Sequence, residues 1–380
     1  LKVALATYFP ADPAAPRGGV EAVSVNLARA LAEFDDLEVH VVTASEAFPA
    51  PTVREWGKVR LHYLPRLPGS VLGNAVGAGR RQLRRYLLEE GFDLVHAHDT
   101  YGLMVKGLSL PRVFTVHGFI HGDTALSGSR GAWIRSRLWK RLETAGWADQ
   151  PHVISISPYV RERLSGIVRG VIHDIDNPVG EDFFRLPRRP VKGRIFSAAL
   201  VSPRKNPSAL VEAAALLRDW GVDASLRLAG STPDAAYGER LRRRIDALGL
   251  SDRVSLLGRI PTRQVAEELS SAEVFSLVSL EENSPMGIEE AMAAGVPVVT
   301  SNRCGMPYMV RHGETGFLVD PHDPLDIALR LRAILEDGAL GRSMAERSRE
   351  VAGDRFHPAA VARRTREVYR EAVRKAGIAR

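Results

Sequence analysis

Glu281-Glu282-Asn283-Ser284-Pro285-Met286-Gly287-Ile288-Glu289-Glu290-Ala291-Met292-Ala293-Ala294-Gly295-Val296-Pro297-Val298-Val299 decides how the rest of the chain is read. A β-rich run ends near Ser279, and Ser284 has the side chain of a helix N-cap, with Pro285 suited to the first helical position. The spacing therefore predicts a strand, a loop and a helix over 285–294. The first-turn N–H groups of Met286, Gly287 and Ile288 are expected to lack partners and to offer an anion site. In open α/β sheets ligands bind beyond the carboxyl ends of the strands, where this loop would lie. Glu282 and Glu290 are eight residues apart, ~12 Å if one helix held both, which is beyond the ~5–9.5 Å of a glycosidase pair. Such carboxylates suit the two ends of one hydroxyl-bearing ligand.

Outward from this stretch, short β-rich runs alternate with helical ones. Strands are expected at 3–7, 38–43, 59–63, 94–98, 113–116 and 153–157, with helices at 20–33, 79–90 and 133–147. Asn177 to Lys192 holds Pro178, Pro187 and Pro190 and reads as a linker. A second series follows, with strands at 194–199, 224–229, 254–257, 274–278 and 296–301. Its helices are expected at 207–219, 235–248 and 262–269, with final helices at 324–336, 338–352 and 358–376. Strands spaced by helices build parallel sheets. The expectation is two domains, 1–185 completed by the helix 358–380, and 186–357.

The 380 residues are 45% hydrophobic and 26% charged, the balance of a globular protein, which excludes disordered, collagen-like and coiled-coil chains. The single cysteine, Cys304, excludes an intrachain disulfide and points to a reducing, cytoplasmic compartment. No apolar run is long enough to span a membrane. Leu1–Phe9 reads as a buried first strand rather than a signal peptide, and the absence of a Met places the expected native start slightly upstream. The net charge of +7 favours anionic partners.

The paired carboxylates followed by Ala291-Met292-Ala293-Ala294-Gly295-Val296-Pro297-Val298-Val299 resemble the signature of the GT4 family of retaining glycosyltransferases. Further landmarks are similar to the family's: Gly18-Gly19-Val20-Glu21, His96-Ala97-His98, Thr115-Val116-His117-Gly118, Leu228-Ala229-Gly230, Leu257-Gly258 and Glu314-Thr315-Gly316-Phe317-Leu318-Val319. The resemblance covers nearly the whole chain. It implies a GT-B fold, two Rossmann-like domains facing each other across a deep cleft. It implies a hexosyltransferase that takes a UDP- or GDP-sugar or similar nucleoside-diphosphate sugar and a glycan, lipid-linked or small-molecule acceptor, with no metal cofactor. It further implies that Glu290 holds the ribose, and that Glu282 with the amides of Met286 and Gly287 holds the donor sugar. Ile288 and the Gly18-Gly19 loop would help hold the phosphates, His117 would reach the reaction centre, and Arg259 would lie beside the base. The family's phosphate-neutralising Lys corresponds to Lys205, whereas its Arg position falls on Ala199. Arg204 is the candidate substitute, because a guanidinium holds two phosphate oxygens.

Other chemistry is weaker. His96, His98 and Asp99 could begin a metal site for a hydrolase, and Asp174-Ile175-Asp176 is a D-x-D out of context. A sugar-nucleotide epimerase and a non-catalytic sugar-nucleotide binder are the remaining alternatives. Neither the dinucleotide fingerprint nor the P-loop occurs. Arg80, Arg81, Arg84 and Arg85 form one basic patch. A second combines Trp133, Arg135, Arg137, Trp139, Lys140 and Arg141 with Ile134 and Leu138, a composition suited to an anionic membrane surface. No nucleic-acid module is visible.

Overall fold

The structure, a computed structural model, describes residues 1–125 and 131–377. It divides into two compact units, Leu1–Pro178 with Pro358–Arg380, and Val179–His357.

In the first unit the described strands are β1 (Lys2–Ala6), β2 (Glu38–Ser45), β3 (Thr52–Trp56), β4 (Val59–Pro65), β5 (Leu94–His98), β6 (Arg112–Val116), β7 (His152–Ser155) and β8 (Val171–Asp174). They form one sheet in the order β3-β4-β2-β1-β5-β6-β7-β8, parallel except for β3. The sequence reading missed β3 and β8 here, and the strand Gly316–Val319 in the second unit. β3 is an antiparallel edge with its middle residues exposed, and β8 is half-exposed, so neither carries the apolar signal of a buried strand. The helix Pro358–Lys375 supplies Val361, Ala362, Val368, Tyr369 and Ala372 to the same core as Val3, Leu5, Val113 and Ile154. Arg366 and Arg370 of that helix both reach Asp36.

The second unit holds β9 (Arg194–Ala198), β10 (Ser225–Ala229), β11 (Val254–Gly258), β12 (Val274–Leu277), β13 (Val298–Ser301) and β14 (Gly316–Val319). Their order is β11-β10-β9-β12-β13-β14, every pair parallel. The chain runs outward from β9 in one direction, then returns to β9's other side and runs outward again. That reversal between β9 and β12 is where the loops beyond the carboxyl ends diverge and leave a crevice. Gly230, just past β10, makes a tight approach at this end. Its φ is +152°, and a Cβ there would lie 1.8 Å from the Ala199 carbonyl oxygen.

The boundary falls at Pro178 rather than at the expected 185, for a packing reason. Val179 N–H donates to the Phe356 carbonyl, and Val179 and Phe183 are buried with Phe196, Phe275, Met292 and Phe356. Phe183→Ala should therefore cost about 3 kcal/mol or more of the second unit's stability by emptying a filled core position. Urea denaturation of the variant measures this; a loss under about 1 kcal/mol would place Phe183 outside the core.

Candidate functional site

The loop after β9 contains a short 3₁₀ turn, Pro203–Lys205, closed by Asn206 in a left-handed conformation (φ 56°) that Asn tolerates. Asn206 then fastens the loop: its side-chain amide donates to the carbonyls of Val278 (3.2 Å) and Pro321 (2.7 Å). Two further bonds join this loop to the one after β12. Leu280 N–H donates to the Arg204 carbonyl (2.8 Å), and the Arg204 guanidinium donates to the Glu281 carbonyl (2.9 Å).

Glu282 sits where these loops meet. Lys205 Nζ pairs with its Oε1, and Arg204 approaches its Oε2 at 3.8 Å. The Glu282 side chain is only 9% exposed and that of Lys205 14%, so the pair is shielded from the solvent that weakens surface ion pairs. The Glu282 carbonyl accepts from Gly305 N–H at 2.8 Å. A Cβ on Gly305 would fall 1.8 Å from the Asn283 carbonyl oxygen, so only glycine lets the two backbones pass this closely. Asn206 and Gly305 were not singled out from sequence. An Asn preceding a helix-starting Pro is a readable signal for the first, and Gly305 carries no local one.

The helix after this loop runs Met286–Ala293 and differs from expectation at its start. Pro285 is the N-cap, not the first helical residue, and Ser284 is not the cap. Ser284 Oγ donates instead to Glu289 Oε1 at 2.6 Å. Ile288 N–H is also occupied, by the Pro285 carbonyl at 3.0 Å. Of the expected anion-facing amides, only those of Met286 and Gly287 have no backbone hydrogen bond among the described residues. Gly287 lies tightly against β9 and β12, its absent Cβ 3.1 Å from the Ala198 carbonyl and 3.2 Å from the Phe275 ring. Glu290 stands one turn further on. Protein packed around its carboxyl pushes it up to about 8 by desolvation.

The second unit thus brings Arg204, Lys205, Glu282 and the Met286–Gly287 amides to one end of the sheet. Ala199, where the resemblance lacks an arginine, donates its N–H to the Ala229 carbonyl (2.9 Å). Arg259 is exposed in the loop after β11 and joins none of these contacts.

The remaining expected residues lie in the first unit. Gly18 is the extended N-cap of the helix Gly19–Leu31. His117 follows β6; its N–H donates to Asp99 Oδ1 (2.9 Å), and its Nε2 lies 3.0 Å from His98 Nδ1. His96 is bonded to Tyr369 Oη and Thr115 Oγ1, both at 2.7 Å. These bonds commit both His96 nitrogens and turn Asp99 toward His117, so the hydrolase metal site considered for His96, His98 and Asp99 does not assemble. Burial holds His96 near 3, His98 well below its usual value and His117 below it, which leaves imidazoles neutral at pH 7. A separate cavity of about 290 Å³ in this unit is lined by Tyr8, Arg17, Glu21, Arg66, Asn74 and Tyr101, among others.

Two family models match. Residues 17–183 match Glycosyltransferase Family 4, and residues 180–351 match Glycosyl transferases group 1. The chain belongs to the family 4, group 1 glycosyltransferases.

Among the family's curated members, a putative colanic acid biosynthesis glycosyltransferase of Escherichia coli is 34% identical over 166 residues. That match spans 41% of this chain and 40% of that protein, less than half of either. D-inositol 3-phosphate glycosyltransferase of Paenarthrobacter aurescens is 27% identical across 94% of this chain and 93% of its own length. In fold the family 4 chain is similar to sucrose-phosphate synthase of Thermosynechococcus elongatus, with a TM-score of 0.83, 24% identity and coverage of 98% and 99% of the two chains. It is also similar to HepE of Anabaena solved with UDP and glucose, with a TM-score of 0.74, 18% identity and coverage of 97% and 99%. These neighbours share the GT-B architecture of two Rossmann-like domains.

Glu290 carries a pH signature. Its folded value of about 8 exceeds the ordinary 4.5, so between those values the native protein holds a proton that the unfolded chain has released. The associated stability is fully present below about 4.5 and is lost as pH rises toward 8, by up to ~1.4 kcal/mol per pH unit. Glu290→Gln should remove this slope. Urea unfolding of both proteins from pH 5 to 8 should show a gap that widens with pH; parallel curves would mean that the Glu290 carboxyl is ionised in the native state.

Proposed function

We propose that this chain is a retaining glycosyltransferase that moves a sugar from a nucleoside-diphosphate sugar, with UDP- and GDP-sugars the first candidates, to an acceptor hydroxyl. The observation that carries the reading is the Arg204–Lys205–Glu282 cluster beside the free Met286 and Gly287 amides, at the strand reversal of the second unit. The diphosphate is the leaving group. Its bond to the anomeric carbon breaks as the acceptor oxygen bonds to that carbon on the same face, and a departing phosphate oxygen takes the acceptor's proton. Charge grows on the diphosphate in the transition state, where Lys205, Arg204 and backbone amides stabilise it without reorganising. On this reading no divalent cation is needed for transfer, and the rate should persist in excess EDTA.

Glu282 exchanges its hold on Lys205 for the donor sugar's hydroxyls, releasing the ammonium to the phosphates. Glu290 takes the ribose hydroxyls and Arg259 lines the nucleotide, whereas Ile288, its side chain buried in the core and its N–H bonded to the Pro285 carbonyl, keeps no group for the phosphates. The roles of Gly18, Gly19 and His117 belong to the first unit and are proposed with the same reading. The 290 Å³ cavity of that unit is the proposed acceptor pocket; Glu21 and Glu46 line it beside Arg17 and Arg66, and Arg66 would exchange Glu46 for an anionic acceptor, the class that the relative named for D-inositol 3-phosphate supports. The relatives are named as transferases, which supports transfer over epimerisation.

Thermal shift with UDP-, GDP-, ADP- and TDP-sugars identifies the donor. Glu290→Ala should then weaken binding of the free nucleotide, because ribose contacts exist in ground and transition states alike. Glu282→Ala should leave nucleotide affinity nearly intact and lower turnover. Lys205→Ala should cost tenfold or more in donor affinity or rate, since a charge-assisted hydrogen bond contributes roughly 1.5–3 kcal/mol. Equal loss of nucleotide affinity in both glutamate variants would remove the division of roles.

A lipid-linked acceptor would need the enzyme at a membrane surface, on the inner face of the cell membrane. The helix Ala132–Ala148 supports this. Trp133, Ile134 and Leu138 are 63%, 57% and 44% exposed, and Arg135, Arg137, Lys140 and Arg141 are exposed with them. Trp139, expected at this surface, is instead buried with Val95, Tyr101 and Leu103, because residues 132, 139, 143 and 146 share the helix's inner face. Arg80 and Arg84 of the first basic patch are likewise engaged, donating to carbonyls of residues 104–107. No helix among the described residues is long and apolar enough to cross a membrane. Cosedimentation with phosphatidylserine-containing vesicles should exceed that with neutral vesicles and fall steeply with salt. Trp133→Ala with Leu138→Ala should reduce it; equal binding to both vesicle types would remove the proposal.

A further inference from the structure

His152, His173 and Glu371 meet at the far edge of the first unit's sheet. His152 opens β7, His173 is the third residue of β8, and Glu371 lies on the helix Pro358–Lys375. The register pairs His152 with Val171, so His173 lies two residues along the neighbouring strand and on the same face. One ligand atom from each of the three residues lies within 4.8 Å of the others. His152 Nδ1 and His173 Nε2 are 3.1 Å apart, and their rings are near-parallel at 19°.

From this geometry we propose that His152, His173 and Glu371 form a binding site for one divalent transition-metal ion, zinc above all. A tetrahedral zinc ion with Zn–N bonds of 2.0–2.1 Å sets its two imidazole nitrogens about 3.3 Å apart. The observed separation needs to widen by only about 0.2 Å. Two imidazoles and one carboxylate are the donors such an ion takes, and they disfavour magnesium and calcium, which require oxygen. His152 is buried, whereas His173 and Glu371 are half-exposed, so the site has an anchored ligand and an open side for entry and for a water as fourth ligand.

The site is separate from the transfer chemistry. His152 is level with Val113 on β6, four residues before His117, roughly 13 Å along the sheet. Its consequence is structural: the ion joins the sheet edge to the C-terminal helix, two elements about 200 residues apart in the chain. One neighbour opposes it. Lys375 Nζ pairs with Glu371 Oε1 at 2.6 Å and competes for the carboxylate, while the Arg161–Asp174 pair flanks His173 with balanced charge.

The test uses the tag-free full chain, stripped with EDTA and desalted. Calorimetry with zinc chloride should give one site of micromolar affinity, and saturating zinc should raise the melting temperature where magnesium does not. Cobalt should bind with the intense visible absorption of a tetrahedral ion. His173→Ala and Glu371→Gln, both at half-exposed positions, should weaken zinc binding at least tenfold and abolish the thermal shift. Lys375→Ala should tighten binding severalfold, an effect that a mere hydrogen bond between two histidines does not predict. Zinc binding unchanged in His173→Ala, or no thermal shift in the wild type, overturns the proposal.

Discussion

The second unit depends on the pairing of β9 with two strands that leave it in opposite directions. β10 hydrogen-bonds one side and β12 the other, and the connections following them diverge. A parallel sheet can be left open at its carboxyl end only at such a reversal. The charged cluster occupies that place because backbone geometry has already separated the flanking loops. Leu280 N–H to Arg204, Asn206 to Val278 and Gly305 N–H to Glu282 then hold those loops in register. Lys205 and Glu282 meet because two backbone hydrogen bonds and one from the Asn206 side chain fix the loops that carry them.

Much of this was legible in the residues. The alternation of apolar runs with helical spacing marks both sheets, and the helices 207–219 and 324–336 match their expected limits, each beginning at a proline. The carboxylate pair was legible for a different reason: polar groups placed for a ligand are not dictated by packing, so their spacing stands out. What was hidden depends on contacts distant in sequence. Val179 and Phe183 look like linker residues until Phe356 comes to meet them. Ser284 has the chemistry of an N-cap, but Glu289 outbids the helix's first turn for its hydroxyl. Trp139 reads as surface until its inward neighbours at 132, 143 and 146 are seen to share its face.

Histidine is used in the first unit for more than one purpose. Tyr369, His96 and Thr115 form a buried hydrogen-bonded row, and His98 with His117 forms a second beside it. Desolvation keeps these rings neutral, so each can both donate and accept. The side chain that reaches the loop, His117, is oriented by the buried His98 ring behind it together with the Asn177 side chain and the Asp99 carboxylate. The pair at His152 and His173 differs in having an open side and a carboxylate near it.

The two units differ in how the chain supplies them. The second is one uninterrupted stretch, while the first is closed by the helix Pro358–Lys375. During synthesis residues 1–178 leave the ribosome with a gap where Val361, Val368 and Tyr369 belong, and His96 waits for its phenol. The inserted unit has all of its core residues before then and can fold first. Nascent chains released before residue 358 would expose the apolar face that the helix covers, a binding surface for chaperones. Completion of the first unit is thus a late event, tied to the synthesis of residues 358–375 rather than to the emergence of its own strands.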